Sequence, residues 1–452
     1  MTKVRDNLNE AMLTSDASAT LARGARGSWM VSVAGLAIAF VTTMLLTRTL
    51  GERQYGALMY AAAWAEVLGM LAPLGADKLI IRELARFRAQ HDWSQARGIM
   101  RWTMRCTFAG TAVAIAIALL FGWIMRDQLD AALFPVFWFT AALIPARAFL
   151  QVKHGELIGA SRPVAALAAT SVNFPLVWLI LTGAVLWVAG ANFSTTHAAF
   201  AALGGLLIAT WIARWQLHAT IDRDALCNAQ PQAHSQQWFR EALPMMFIIA
   251  LALINLRMDV IMLGAMRPAE EPGIYWLAAQ LAFLIRLAIV AVNPALAPLA
   301  ASRDGAALQS AARAASRLAF VPALVCAIGL VIAGRWVLGL FAPAFVAGYP
   351  TMMILVASLL IVTAMGPVET VLMMKGGQGA AARAAASAAA INIVLNALFI
   401  PQWGMVGAAI ATAISTIAWG LAMTLAVRRR LGFGMSIISR DIVDHPEERP
   451  CP

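Results

Sequence analysis

The chain alternates between long apolar runs and short polar segments. Twelve of the apolar runs are long enough to cross a bilayer as an α-helix. Six of them precede a polar segment at 219–241 and six follow it. The pattern therefore predicts an all-α polytopic membrane protein. The predicted spans are 28–46, 55–75, 104–125, 131–152, 164–188, 196–218, 242–266, 273–297, 318–341, 350–374, 384–400 and 404–427.

This pattern divides the chain into two lobes of six helices each. A cytoplasmic amphipathic leader at 1–27 precedes the N-terminal lobe at 28–218. A cytoplasmic linker at 219–241 connects it to the C-terminal lobe at 242–427. The remaining residues, 428–452, are predicted to form a disordered cytoplasmic tail.

Composition supports a membrane protein and argues against other classes. Of the 452 residues, 61% are hydrophobic and 13% are charged, whereas soluble domains carry about 25% charged residues. The net charge of +11 lies in short segments between apolar spans, so it does not indicate a nucleic-acid-binding face. The His and Cys residues show no metal-ligand spacing, and the chain carries no nucleotide-binding motif. We expect no metal, no cofactor and no catalytic residues.

The positions of Lys and Arg predict the orientation in the membrane. Of the 34 basic residues, 27 fall on one side of the predicted spans, five on the other and two within spans. Loops that remain in the cytoplasm are enriched in Lys and Arg. Both termini are therefore predicted to be cytoplasmic, and this orientation requires an even number of spans.

Two internal matches indicate that the second half of the chain repeats the first. The turn with Gly51, Gly56 and Tyr60 recurs with Gly264, Gly273 and Leu277, and two alanines follow Tyr60 and Leu277. At a constant offset of 222, Pro145, Arg147, Lys153 and Gly155 recur as Pro367, Glu369, Lys375 and Gly377. Such repeats are typical of secondary transporters.

Residues in both turns and in the last two spans carry a resemblance to a known family. The chain resembles the polysaccharide transporters of the multidrug/oligosaccharidyl-lipid/polysaccharide exporter superfamily. Within that superfamily it is most similar to the O-antigen (Wzx-type) flippases. The matching residues include Leu46 to Gly51, Tyr55-Gly56, Asp259, Leu263-Gly264, Tyr275, Asn392, Asn396, Pro401 and Gly407 to Ala409.

The resemblance implies a fold and a function. The fold would be two six-helix repeats around a central cavity, as in MATE-like transporters. The protein would be a flippase of the bacterial inner membrane that moves polyprenyl-pyrophosphate-linked oligosaccharide units to the periplasmic leaflet. Its partners would be that lipid-linked oligosaccharide, membrane lipid, and the polymerase and glycosyltransferases of the same pathway.

Ionisable residues inside the spans are the candidate site residues, because a charge in a bilayer is costly and is usually functional. Arg257 and Asp259 are two residues apart, so they should point to nearly opposite faces of one helix. Asp259 could then pair with Arg286 and leave Arg257 for the cavity. The candidate substrate-binding residues are Arg257, Arg286, Arg48 and Asn255, and the candidates for ion coupling or ion pairing are Asp259 and Glu66.

Arg147 and Glu369 occupy matching places in the two repeats and carry opposite charge. We expect them to form a cytoplasmic gate. The alternative is that each is satisfied within its own lobe. The coupling ion, if there is one, would be a proton or a sodium ion.

Two rival functions remain open. A cation-coupled multidrug exporter of the same fold would need an acidic cavity, whereas Arg257 and Arg286 make the predicted interior cationic. A membrane-embedded glycosyltransferase or polymerase would need a loop with convergent carboxylates or histidines. The predicted outer loops are too short for such a loop, and the inner ones are basic.

Overall fold

The computed structural model describes residues 2–124, 134–220, 228–232 and 234–437, and this part of the chain is helical with no strand. The first half contains α1 (Thr2–Leu71), α2 (Ala76–Ala89), α3 (Trp93–Ile124), α4 (Phe134–Gly159), α5 (Pro163–Ala168), α6 (Phe174–Ala189) and α7 (Thr195–His218). The second half contains α8 (Ser235–Met266), α9 (Glu270–Ala282), α10 (Arg286–Ser302), α11 (Gly305–Phe341), α12 (Tyr349–Met365), α13 (Val368–Met374) and α14 (Gln378–Leu431).

Short irregular helical turns join some of these elements. A π-helical turn at Ala169–Asn173 connects α5 to α6, and the 3₁₀ turn Gly190–Asn192 follows α6. In the second half, 3₁₀ turns at Phe283–Ile285 and Pro343–Gly348 precede α10 and α12.

In the described part of the chain, each of the twelve predicted spans is largely helical, although 164–188, 273–297 and 350–374 are each divided between two helices. Within the described part of the chain, nine helical segments are long and apolar enough to cross a membrane. Two of these, in α1 and α14, each contain two predicted spans. The remaining predicted span, 131–152, overlaps α4, although residues 131–133 lie outside the described part. The all-α, twelve-helix architecture is therefore confirmed.

A single glycine breaks each of the two longest helices. Gly51 in α1 has φ 71° and ψ 175°, and Gly404 in α14 has φ 53° and ψ −134°. A residue with a β-carbon is strongly disfavoured in these conformations, which glycine adopts readily. The predicted spans 384–400 and 404–427 leave residues 401–403 as the connection between them. These residues are helical, and the direction of the chain changes at Gly404 instead.

The chain forms two compact units whose limits differ from the predicted lobes. The first unit contains the described residues up to Gly51 and from Ala61 to Ala250, and the second contains Glu52–Tyr60 and the described residues from Leu251 onwards. The N-terminal part of α8 thus packs with the first unit. There, Trp238 is buried, and its ring lies 5.6 Å from that of Trp102.

In the second unit, the two copies of the repeated turn lie against each other. A β-carbon added to Gly273 would lie 2.7 Å from the Cα atom of Gly56, and one added to Gly56 would lie 1.7 Å from the carbonyl oxygen of Ala269. Neither position has room for a side chain. Gly56 and Gly273, two of the glycines that mark the repeat in the sequence, are therefore points at which the two turns touch.

The segment after α14 also packs against the second unit, and we call residues 432–437 the C-terminal strap. Phe433 and Met435 are buried in a cluster with side chains of α10, α11, α13 and α14. Ser316 donates a hydrogen bond to the Met435 carbonyl oxygen at 2.9 Å. The predicted disordered tail at 428–452 is therefore wrong for 428–437, because two apolar side chains of the strap find a buried site. Residues 438–452 lie outside the described part.

The strap crosses the break between α12 and α13. Pro367 at this break has no N–H group, and the N–H of Val368 bonds to the carbonyl of Gly366 at 2.8 Å. The carbonyl of Ala364 therefore lacks its usual helical partner. The strap supplies one, because the N–H of Ile437 donates to that carbonyl at 3.1 Å.

We expect a chain that ends at Gly432 to be less stable than one that ends at Ile437. The shorter chain loses two buried apolar side chains and leaves the Ala364 carbonyl without its partner. The conformational entropy that the strap regains offsets part of this loss, so we expect a modest net decrease in the free energy of unfolding. Size-exclusion chromatography after heating in detergent should give an apparent melting temperature several degrees lower. Equal melting temperatures would show that the strap does not stabilise the second unit.

Candidate functional site

A buried carboxylate on α8 is the centre of the candidate site. Asp259 is 4% exposed and accepts hydrogen bonds at both oxygens. Its Oδ2 atom accepts from the hydroxyls of Tyr275 at 2.6 Å and Thr412 at 2.5 Å. Its Oδ1 atom accepts from the amides of Asn396 at 2.6 Å and Asn392 at 3.1 Å. All four donors are neutral side chains.

The donors come from both arms of α14 and from α9. Asn392 and Asn396 are one turn apart on α14 before the Gly404 break, and Thr412 lies after it. The break allows both arms of α14 to contact the same carboxylate. Asn396 also donates to the Oδ1 atom of Asn392 at 3.0 Å, which orients both amides. A buried carboxylate needs such donors, because an unsatisfied charge in this setting is expensive.

The Asp259 cluster forms one wall of a cavity of about 160 Å³ within the second unit. The polar and aromatic residues that line it are Asn255, Arg257, Asp259, Tyr275, Trp276, Gln280, Phe283 and Thr412. Leu256, Val260 and Leu355 contribute apolar wall. The cavity therefore brings one cation, one carboxylate and an aromatic surface together.

Arg257 lies over the indole ring of Trp276, with its Cζ atom 4.0 Å from the ring centroid. This contact is a cation–π interaction, which is stronger where water is excluded. Asn255 donates to the carbonyl of Leu251 on α8 at 2.9 Å and to that of Ala385 on α14 at 3.3 Å. Its amide nitrogen therefore connects α8 to α14.

The structure corrects one expectation about these charges. Arg257 and Asp259 both line the cavity, together with Asn255, Leu256 and Val260 of the same helix. The predicted pair of Asp259 with Arg286 is wrong, since Asp259 bonds to the four neutral donors instead.

Arg286 is not among the residues that line the cavity. It is the first residue of α10, directly after the 3₁₀ turn at Phe283–Ile285, and its Cζ atom lies 5.8 Å from the ring centroid of Phe283. Three residues of 3₁₀ helix advance by about 60° more than three residues of α-helix. The turn thus moves Arg286 away from the position that a continuous helix would give it.

The other candidates do not belong to this cavity. Arg48 is an exposed residue of α1 in the first unit. Glu66 and Arg147 form an ion pair at 3.7 Å within the first unit, and the Arg147 guanidinium also lies 5.7 Å from the ring of Phe174. Glu369 is exposed in the first turn of α13. The gate between Arg147 and Glu369 stays a prediction.

Several residues of the site were not assigned a site role from the sequence. Asn392, Asn396, Thr412 and Trp276 carry no charge, so a search for ionisable residues inside the spans does not select them. The two asparagines carry a detectable signal, because their spacing of four residues places both on one helix face. Within the described residues, no group of three or more His, Cys, Asp or Glu could hold a metal ion.

Solved structures of membrane transporters resemble this fold. An inward-closed structure of the lipid II flippase MurJ matches with a TM-score of 0.72 and 12% identity, over 89% of this chain and 87% of the other. An inward-facing multidrug resistance MATE family transporter matches with a TM-score of 0.67 and 15% identity, over 90% of this chain and 93% of the other.

A third structure is described as a transporter of the MOP superfamily from Pyrococcus furiosus whose binding pocket has reversed polarity. It matches with a TM-score of 0.62 and 13% identity, over 90% of this chain and 94% of the other. At these identities the matches establish the MATE-like fold of a multi-pass membrane protein.

The sequence itself places the chain in a family. A search among curated protein sequences found no significant match. The family model described as polysaccharide biosynthesis protein matches residues 23–302, which is more than half of the 452 residues. The chain belongs to the polysaccharide biosynthesis protein family and has the fold of the MOP superfamily transporters.

Proposed function

We propose that this protein is a flippase that moves polyprenyl-pyrophosphate-linked oligosaccharide units from the cytoplasmic to the periplasmic leaflet for surface polysaccharide synthesis. The observation that carries the proposal is the guanidinium of Arg257 in a cavity of a membrane-embedded unit. Membership of the polysaccharide biosynthesis protein family supports it, as does the similar fold of a lipid II flippase.

Arg257 is suited to bind the pyrophosphate of such a substrate. A guanidinium offers several N–H donors in one plane and binds phosphate oxygens in pairs. Its contact with Trp276 orients that plane before the substrate arrives. A cavity of about 160 Å³ has room for roughly five water molecules, which is enough for a phosphate group but not for an oligosaccharide. The sugars and the polyprenyl chain would therefore lie outside it.

The Asp259 cluster is suited to bind a proton or a sodium ion. It combines a carboxylate with the hydroxyl oxygens of Tyr275 and Thr412, and hard cations prefer oxygen ligands. The buried Oδ1 atom of Asn396 has no hydrogen-bond partner, so it could serve as a further ligand. We therefore propose that a cation at Asp259 drives the transport cycle.

A multidrug exporter is the second candidate, and Asp259 is the observation in its favour because cationic drugs need a carboxylate. Arg257 lines the same cavity and would repel a bulky cationic drug there. An anionic substrate together with a small cation fits this combination of charges better.

The proposal includes a location and partners. The 27 basic residues on one side of the predicted spans support a bacterial inner-membrane protein with both termini in the cytoplasm. Glycosyltransferases would supply the substrate on that side, and a polymerase would use it on the other. The protein itself needs no enzymatic activity for this role.

We expect Arg257→Ala to lower flipping about 10- to 100-fold, because a hydrogen bond to a charged group contributes about 1.5–3 kcal/mol. The assay measures surface glycan and the lipid-linked oligosaccharide that accumulates inside cells whose own flippase is deleted. Arg335→Ala is the matched control, because Arg335 also lies over an aromatic ring, that of Tyr349 at 5.0 Å. Normal flipping by Arg257→Ala at normal protein levels would contradict the proposal.

We expect sodium or acid pH to stabilise the purified protein and Asp259→Asn to abolish that effect. A cation that binds only the folded protein raises its apparent melting temperature. The apparent melting temperature is compared between sodium chloride and choline chloride at constant ionic strength, and then between pH 5.5 and pH 8 in choline chloride. Glu66→Gln serves as the control, because it removes an intramembrane carboxylate of the first unit. An equal response of the unaltered protein and Asp259→Asn would exclude Asp259 as the cation site.

A further inference from the structure

Two neighbouring side-chain contacts connect α8 to α9. Arg257 on α8 contacts the ring of Trp276 on α9, and Asp259 on α8 accepts a hydrogen bond from Tyr275 on α9. The two α8 residues are two positions apart, and the two α9 residues are consecutive. All four line the same cavity. The proposed anion site and the proposed cation site therefore share one pair of helices.

Trp276 provides an aromatic surface on which the Arg257 guanidinium lies. An arginine side chain has many rotamers, and a ring face at 4.0 Å restricts the guanidinium to a plane above it. In that position the cation faces the cavity that Trp276 also lines. Any displacement of the indole ring moves the surface against which the guanidinium is held.

Tyr275 contacts the carboxylate oxygen at which a cation would bind Asp259. Its hydroxyl and that of Thr412 both donate to the Oδ2 atom and lie 3.3 Å from each other. A proton on Oδ2 would compete with these donors, so that at least one hydroxyl would have to accept a hydrogen bond instead of donating one. A sodium ion would require hydroxyl lone pairs to point towards it. Either cation thus changes the bonding of Tyr275.

The backbone connects this change to Trp276. The two aromatic residues are neighbours on α9, which ends six residues later in the 3₁₀ turn Phe283–Ile285. Such a turn within a span often marks a hinge, because its hydrogen bonds are weaker than those of an α-helix. A shift of Tyr275 that moves α9 also moves Trp276 and the guanidinium on its face.

We propose that Tyr275 and Trp276 are positioning residues that couple cation occupancy at Asp259 to the orientation of Arg257. The proposal rests on the proposed function, since it connects the cation site to the pyrophosphate site. It assigns separate roles to the two aromatic residues: Trp276 sets the affinity for the anion, and Tyr275 transmits the state of the carboxylate.

Calorimetric titration of the full-length protein in nanodiscs with inorganic pyrophosphate tests this coupling. The dissociation constant is measured at saturating sodium and in choline chloride, and again at pH 5.5 and pH 8. For the unaltered protein, we expect the dissociation constant to change at least fivefold either between sodium and choline chloride or between pH 5.5 and pH 8. Linkage requires pyrophosphate to change the affinity for the cation by the same factor.

The variants separate the two roles. Tyr275→Phe keeps the ring and removes the hydroxyl. Its affinity for pyrophosphate should therefore stay within about threefold of that of the unaltered protein. The ratio of its dissociation constants between the paired conditions should fall towards one. Trp276→Leu should weaken pyrophosphate binding at least tenfold and leave the sodium or pH response of the melting temperature intact. Tyr349→Phe is the control, because its hydroxyl bonds to the carbonyl of Val331 and does not contact Asp259.

The outcomes distinguish this coupling from the proposed function. If Arg257→Ala and Asp259→Asn bind pyrophosphate and cation normally, the proposed sites are wrong, and the coupling between them falls as well. If those two variants lose binding while Tyr275→Phe keeps the full ratio, only the coupling is overturned. The coupling is also overturned if the unaltered protein binds no pyrophosphate, or binds pyrophosphate with the same affinity in all conditions.

Discussion

A carboxylate that is buried without a cationic partner must be stabilised by neutral hydrogen-bond donors, and Asp259 imposes this requirement on the second unit. Its four donors come from α9 and from both arms of α14. The break at Gly404 belongs to the same arrangement, because a straight α14 could not present both Asn396 and Thr412 to one carboxylate. Loss of any one donor would leave part of the charge unsatisfied.

The same carboxylate shares its cavity with a cation that it does not bind directly. Arg257 contacts the ring of Trp276, and Asp259 contacts hydroxyl and amide groups. This combination of charges supports the proposal that the cavity binds an anion together with a small cation.

Elements distant in the sequence complete the second unit. The Gly56 turn packs on the Gly273 turn, so the first repeat contributes a segment to the unit that contains the candidate site. The C-terminal strap satisfies the Ala364 carbonyl at the break before α13. In the first case, the absence of a side chain at two glycines allows the two turns to touch. In the second case, a carbonyl without its helical donor bonds to a distant part of the chain.

The sequence by itself determined the number of spans and the charged residues of the site. The length of each apolar run relative to the bilayer predicts the twelve helices, and the rarity of intramembrane charge identifies Arg257 and Asp259. Only the tertiary structure decided what those charges contact. The donors to Asp259 that come from α14 lie more than 130 positions away, so no local pattern could select them over Arg286. The position of Arg286 depends on the 3₁₀ turn Phe283–Ile285, which rotates the following residues around the helix axis. The pattern of apolar residues does not predict this rotation.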